Sequence, residues 1–343
     1  MSRTKVIAIA NQKGGVGKTT TTANLGYALS NMGRDVLLID YDSQASLTNY
    51  LNIGLDDEET YYGIYDLMLC ALRPVDPEFD ESLAAIDYKN DNDFARLCEM
   101  CIHRPTYLAR ELQTVDGKRK VVDVEREFGF DLLPSHLYLS DYSLEVSQPK
   151  YANDSVGGLR LYNVIQRILK WHEYDYVLID CNPSLEIMTM NAIIASTSGI
   201  LIPTNLDLLS TRGVTNLVDR IGDVQELMNG INPPIVHMGV IGILLNLYSE
   251  RRRVDTTIEN NLNMFYPFKI FREKIPESVD AKRAVLGGLI YSQIHKKAKT
   301  QYEAVARELE ETLGQMEKEG QKIQYLERKM NVVEQPEDTQ DNE

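Results

Sequence analysis

Residues 11–20 of the 343-residue chain read NQKGGVGKTT. Three glycines, two lysines and two threonines in ten positions are the parts of a phosphate cradle. Gly14, Gly15 and Gly17 allow the left-handed backbone and a close approach, so that successive N–H groups can converge on phosphate oxygens. Lys18 is placed to reach β- and γ-phosphates, and the Thr19 hydroxyl to ligate Mg²⁺. A strict search for Gly-x4-Gly-Lys-Ser/Thr misses the segment, because Gln12 stands at the first glycine position. An additional lysine, Lys13, precedes Gly14 and Gly15 instead.

Such a loop works only between a strand and a helix, where the positive helix end faces the phosphate. Residues 4–11 (TKVIAIAN) supply the strand, a short apolar run ending at the glycines. Residues 18–32 supply the helix, with Ala23, Leu25, Ala28, Leu29 and Met32 at helical spacing and Gly33 as the stop. Further apolar runs at 35–40, 174–180, 199–203 and 236–245 read as strands. Helical patterns at 159–171, 208–228 and 300–315 lie among them. This alternation predicts an α/β fold with a mostly parallel, twisted sheet and helices on both faces. One domain over residues 1–330 is expected. An acidic insertion at about 55–128 interrupts it, with a helix over 91–101 and a hairpin turning at Asp116 and Gly117. Residues 331–343 are polar and acidic and read as a disordered tail.

With strand, glycines, Lys-Thr and helix in place, KGGVGKTT resembles the deviant Walker A motif of the ParA/MinD class of P-loop ATPases. The resemblance spans roughly residues 3–54 and 129–316. It implies ATP and Mg²⁺ as cofactors, with Lys13, Gly14, Gly15, Val16, Gly17, Lys18, Thr19 and Thr20 around the phosphates. It also implies an ATP-state homodimer in which Lys13 reaches the nucleotide of the facing subunit and stabilises charge there, as an arginine finger does. DYDSQAS (40–46) is similar to the family's Asp-x-Asp-Pro-Gln segment, with Ser43 in place of Pro. The match puts Asp42 where a carboxylate orients the attacking water and Asp40 beside the metal. YDYVLIDCNPS (174–184) resembles a Walker B strand, with Asp180 supporting Mg²⁺. Asp207, Asn246 and Pro276 match positions that contact the nucleotide across the dimer or at its base.

Net charge is −15, which at first argues against a polyanionic partner. The charge is unevenly spread. Residues 55–128 carry 9 basic against 18 acidic groups, and residues 303–343 carry 5 against 12, so the rest of the chain is close to neutral. Residues 251–299 hold 11 basic and 5 acidic groups. Arg251, Arg252, Arg253, Lys282, Arg283, Lys296 and Lys297 are the candidate DNA contacts, and Asp280 stands where the family carries a second DNA-contacting arginine.

The phosphate loop begins at residue 11, which resembles the short, chromosomal-type ParA partition ATPases. That type implies nonspecific DNA binding by the ATP dimer, stimulation by a ParB-like partner and a cytoplasmic, nucleoid-associated protein. The alternative is a MinD-like positioning ATPase, which needs an amphipathic membrane helix. Residues 321–330 offer only a short one followed by acid, and no membrane association is expected. A third reading takes Cys98, Cys101 and His103 as metal ligands. No second pair lies near them, and the pattern reads better as buried thiols on a helix.

Overall fold

The computed structural model describes residues 4–53, 61–115, 118–146, 159–183, 187–206, 208–229, 239–248, 269–286 and 289–319. Its strands are β1 (Lys5–Ile9), β2 (Val36–Tyr41), β3 (Thr106–Val115), β4 (Lys118–Glu127), β5 (Asp131–Leu133), β6 (Tyr176–Cys181), β7 (Gly199–Thr204), β8 (Val240–Tyr248) and β9 (Ile275–Pro276). Seven of them form one sheet in the order β5-β2-β6-β1-β7-β8-β9, every neighbouring pair parallel.

Strands this apolar must be covered on both sides. Val6, Ala8, Leu37, Ile39, Val177 and Ile179 point into one core, closed by the helices Ile64–Leu72, Asp91–Cys101, Arg160–Trp171, Ile187–Ala195 and Leu208–Asn229. The alternating residues Ile7, Ile9, Val36, Leu38, Tyr176 and Leu178 point into a second core, closed by Lys18–Asn31, Ser46–Tyr50, Tyr291–Ile294 and Lys296–Glu319. The result is the expected α/β architecture, helices on both faces of a parallel sheet.

The register matters for chemistry. Asp40 at the end of β2 lies level with Asp180 on β6, and Ile9 of β1 lies level with Asp180 on its other side. The carboxyl ends of β1, β2 and β6 therefore meet in one row. Ligands bind at that edge of an open parallel sheet, where successive connections leave in opposite directions.

Two helices of the acidic segment are part of the first core. They contribute Ile64, Leu67, Met68, Phe94, Leu97, Cys98 and Cys101. The hairpin β3–β4 is separate. Its ten paired positions form a two-stranded sheet of their own, and Leu108, Leu112 and Val121 are 63%, 61% and 66% exposed. Its root is held where Tyr107 packs, tilted, against Phe128 at 4.7 Å and Phe128 stacks on Phe130 at 5.2 Å. The turn residues 116 and 117 lie outside the described residues, as does the tail.

Some elements differ from expectation. The C-terminal helix begins at Lys296 rather than residue 300, because Ala298, Tyr302, Val305, Leu309 and Leu313 all pack into the second core and carry the lysines into the first turn. β8 continues to Tyr248. β5, β9 and the helix Ile187–Ala195 had no sequence signal: the two strands have three and two residues, and the helix is nearly uniformly apolar.

Candidate functional site

The loop 11–17 leaves β1 and turns into the helix Lys18–Asn31. Gly15 and Gly17 have φ of 74° and 86°, and an added Cβ on Gly17 would stand 2.8 Å from Nδ2 of Asn246. Gly14 and Gly15 are exposed and have nothing within 4 Å of where a Cβ would be. Val16 is buried and anchors the loop from beneath. The cradle is thus open on its glycine side and backed on the other. Asn11 ties it to β7, donating from Nδ2 to the Pro203 carbonyl at 2.8 Å and accepting from the Lys13 N–H at 3.0 Å.

Lys18 is buried in the first helical turn and donates to the Lys13 carbonyl at 3.3 Å. Burial pulls its pKa below the usual lysine value, opposed by the charges of Asp180 and Asp42. Thr19 donates from Oγ1 to Asp180 Oδ2 at 2.7 Å, and Thr22 to Asp180 Oδ1 at 3.1 Å. The backbone of Thr20 accepts from Asn24 Nδ2. Burial, with the charge of Asp40, pushes the Asp180 carboxyl well above the usual range. Burial also pushes Asp40 up to about 6, against hydrogen bonds from Thr48 and Asp42 that favour its charged form.

Two fully buried carboxylates side by side with only one buried lysine near them form an electrostatically uphill arrangement. A divalent cation relieves it. Among the described residues, no group of three or more His, Cys, Asp or Glu could hold a metal unaided. Mg²⁺ takes one or two carboxylates and fills its octahedron with water and phosphate oxygens. Asp40, Asp180 and the Thr19 hydroxyl fit this hard-oxygen donor set.

Asp42 is 8% exposed at the mouth of the row, and its Oδ1 accepts from the Gln44 N–H at 3.0 Å. The Nζ of Lys13 is 3.5 Å from Oδ1 of Asn205, just past the end of β7.

Asn246 is 3% exposed, and its Nδ2 is used on the loop, donating to the Val16 carbonyl and to Thr21 Oγ1, each at 3.0 Å. Its Oδ1 is buried and has no hydrogen-bond partner among the described residues. Leu247 behind it has φ 54°, at the register shift where β8 meets β9 and half-buried Pro276. Asp207 lies outside the described residues.

Sequence reasoning missed Asn11, Thr22, Thr48, Ser135 and Asn205. Asn11, Thr22, Ser135 and Asn205 act through partners 87 to 192 positions away, and Thr48 through Asp40 eight positions back, across a turn that no motif marks.

The AAA domain family matches residues 4–232, about two-thirds of the chain. The chromosome partitioning protein ParA of Caulobacter vibrioides is 28% identical over 283 residues, covering 82% of this chain and 83% of that protein. The chain belongs to the AAA domain family, to its ParA/MinD-type ATPases. The sporulation initiation inhibitor protein Soj of Bacillus subtilis is 26% identical over 280 residues, 82% of this chain and 87% of Soj. Among solved structures, cobyrinic acid a,c-diamide synthase from Mycobacterium smegmatis with bound ATP analog and magnesium superposes with a TM-score of 0.62 at 25% identity. It covers 89% of this chain and 93% of that one. A shared fold does not fix function, which has to be argued from the site.

Within this ParA/MinD-type chain, the remaining candidates fare unevenly. Arg251, Arg252, Arg253 and the Lys282 side chain lie outside the described residues. Arg283 pairs with Asp280 at 3.3 Å. Lys269 and Arg272 pair with Glu308, and Arg272 also with Glu311. The basic excess of residues 251–299 is thus partly cancelled in space by carboxylates of the C-terminal helix, which a count along the sequence does not reveal. Lys296 and Lys297 remain exposed in the first turn of that helix. Cations there oppose the helix dipole, and an anionic partner would relieve them. Cys98 and Cys101 are fully buried. Burial pushes Cys98 up to about 12 and raises Cys101, as expected of thiols packed in a core. His103 Nε2 is at 2.9 Å from the Tyr62 carbonyl. No helix among the described residues is long and apolar enough to cross a membrane.

Proposed function

We propose that the chain is a partition ATPase that hydrolyses ATP to ADP and phosphate, pairs with a second copy in the ATP state and binds DNA without sequence preference in that state. The observation that carries the reading is the row of Lys18, Thr19, Asp40, Asp42 and Asp180 at the carboxyl ends of three parallel strands, beneath a glycine cradle. Lys18 and the loop N–H groups neutralise the phosphates. Mg²⁺, when bound, supplies charge to the same phosphates and is held by Thr19 and Asp180 with Asp40 beside it. Asp42 accepts a proton from the attacking water and orients it. Lys13, whose Nζ is 3.5 Å from Asn205 Oδ1, serves the facing subunit's nucleotide by exchanging that contact for a phosphate. Asn246 and Pro276 border the base, and Asp207 faces the partner.

The ParA and Soj relatives support a partition or positioning role. A ParB-like partner that stimulates hydrolysis and a cytoplasmic, nucleoid-bound location belong to the same proposal. Lys296 and Lys297, with Arg251, Arg252, Arg253, Lys282 and Arg283, supply the phosphate contacts. Because the whole chain is acidic, affinity depends on the doubled basic surface of the dimer.

The test is DNA binding across a salt series with ATP and with ADP. Binding is expected with ATP alone, with a steep negative salt slope. Equal binding with both nucleotides contradicts the proposal.

A further inference from the structure

Asp40 is held by a residue that none of the motifs includes. Thr48 is fully buried in the short helix Ser46–Tyr50. It donates to Asp40 Oδ2 twice, from its backbone N–H at 2.8 Å and from Oγ1 at 2.7 Å. A threonine hydroxyl has one hydrogen to give. The Ser135 N–H donates to Thr48 Oγ1 at 2.9 Å, occupying its acceptor side and leaving that hydrogen aimed at the carboxylate.

Ser135 is itself fixed from the acidic segment. Its carbonyl accepts from Tyr61 Oη at 2.7 Å, and the preceding Pro134 carbonyl accepts from the Ile64 N–H at 2.8 Å. Gly63 packs so tightly there that an added Cβ would stand 2.2 Å from the Pro134 oxygen. A continuous run of hydrogen bonds therefore leads from Tyr61, where the chain enters the acidic segment, through Ser135 and Thr48 to Asp40.

We propose that Thr48 is a positioning residue for the Asp40 carboxylate at the metal, and that residues 61–64 set its aim through Ser135. The proposal rests on the reading of Asp40 as standing beside Mg²⁺. Through this relay, whatever displaces the acidic segment changes cation affinity without touching the nucleotide. A purely structural role, Asp40 anchoring the start of the helix Ser46–Tyr50, predicts lost stability and nothing else.

The experiment uses the full chain with ADP and Mn²⁺ as the probe, reading free Mn²⁺ by electron paramagnetic resonance. Thr48→Val is expected to weaken Mn²⁺ binding about tenfold, the usual scale for a residue that orients a metal-site group. ADP affinity in EDTA stays unchanged. Thr48→Ser keeps the hydroxyl and is expected within about twofold of the parent, while Tyr61→Phe loses about threefold. Should Thr48→Val not fold, Thr48→Ala carries the same expectation. If Thr48→Val lowers Tm but leaves Mn²⁺ binding intact while Asp40→Asn weakens it, the positioning role is overturned and the reading of Asp40 survives. If Asp40→Asn also binds Mn²⁺ normally, that reading fails and this proposal with it. If Thr48→Val weakens Mn²⁺ but Tyr61→Phe does not, the link to the acidic segment is overturned.

Discussion

The carboxyl ends of β1, β2 and β6 and the hairpin β3–β4 are built on opposite terms. At the strand ends, polar and charged side chains are buried: Lys18, Asp40, Thr48 and Asp180 are all at or below 8% exposure. On the hairpin, apolar side chains are exposed, with Leu108, Leu112 and Val121 above 60%. Burying ions costs several kcal/mol each unless they are paired and hydrogen-bonded, so the first region is assembled against a penalty. The second carries apolar surface that contributes little to folding. Stability resides in the two cores against the sheet, to which the helices of the acidic segment belong and to which its hairpin adds Tyr107 at its root. The costly region is where a ligand would return the energy.

That contrast can be broken in several places. Phe130→Ala, at a fully buried position in the second core, is expected to cost about 3–5 kcal/mol in urea unfolding. Leu112→Ser on the hairpin should stay within about 0.5 kcal/mol. Comparable losses would mean that the hairpin is part of the fold's support.

Lys18→Ala is expected to lower ATP hydrolysis by about 10²–10³-fold, measured by phosphate release, because the phosphates lose their buried cation.

Asp40 sharpens the comparison through pH. Its folded pKa lies near 6 against an ordinary 3.8, so the folded state holds the proton longer than the unfolded one. Stability without nucleotide must then fall as pH rises through that window, by up to about 3 kcal/mol from this group. The shift of Asp180, in the same direction, extends the decline to higher pH. Urea unfolding between pH 4 and 7 should show it, and Asp40→Asn should flatten it. A parent stability that climbs equally with and without Asp40 would contradict the electrostatic account.

The smallest effect is on the surface. Lys296→Glu with Lys297→Glu should weaken ATP-state DNA binding about tenfold and make its salt slope shallower by about two contacts. An unchanged slope would remove these lysines from the interface.

The phosphate loop was legible in the sequence because its chemistry is contiguous: strand, glycines, Lys18 and Thr19 follow one another. Asp40 and Asp180 were legible as residues at the ends of apolar strands, and the parallel register brings them level. Thr48, Ser135 and Asn205 were not, since their roles exist only through contacts across 8 to 192 positions. The basic run near the C-terminal side was read too simply. Glu308 and Glu311 sit on the C-terminal helix, more than 35 positions later, and pair with Lys269 and Arg272. Asn246 was matched to the base, yet its amide group also pins the phosphate loop, a second use visible only once β8 is placed beside that loop.

The central claim is that this row of buried groups hydrolyses ATP with Asp42 directing the water. Asp42→Ala tests it most directly, by comparing nucleotide binding with single-turnover hydrolysis in the same preparation. The account predicts that the variant binds ATP as well as the parent, accumulates as an ATP-bound dimer and hydrolyses about 10²-fold more slowly or less. Hydrolysis at the parental rate would contradict it.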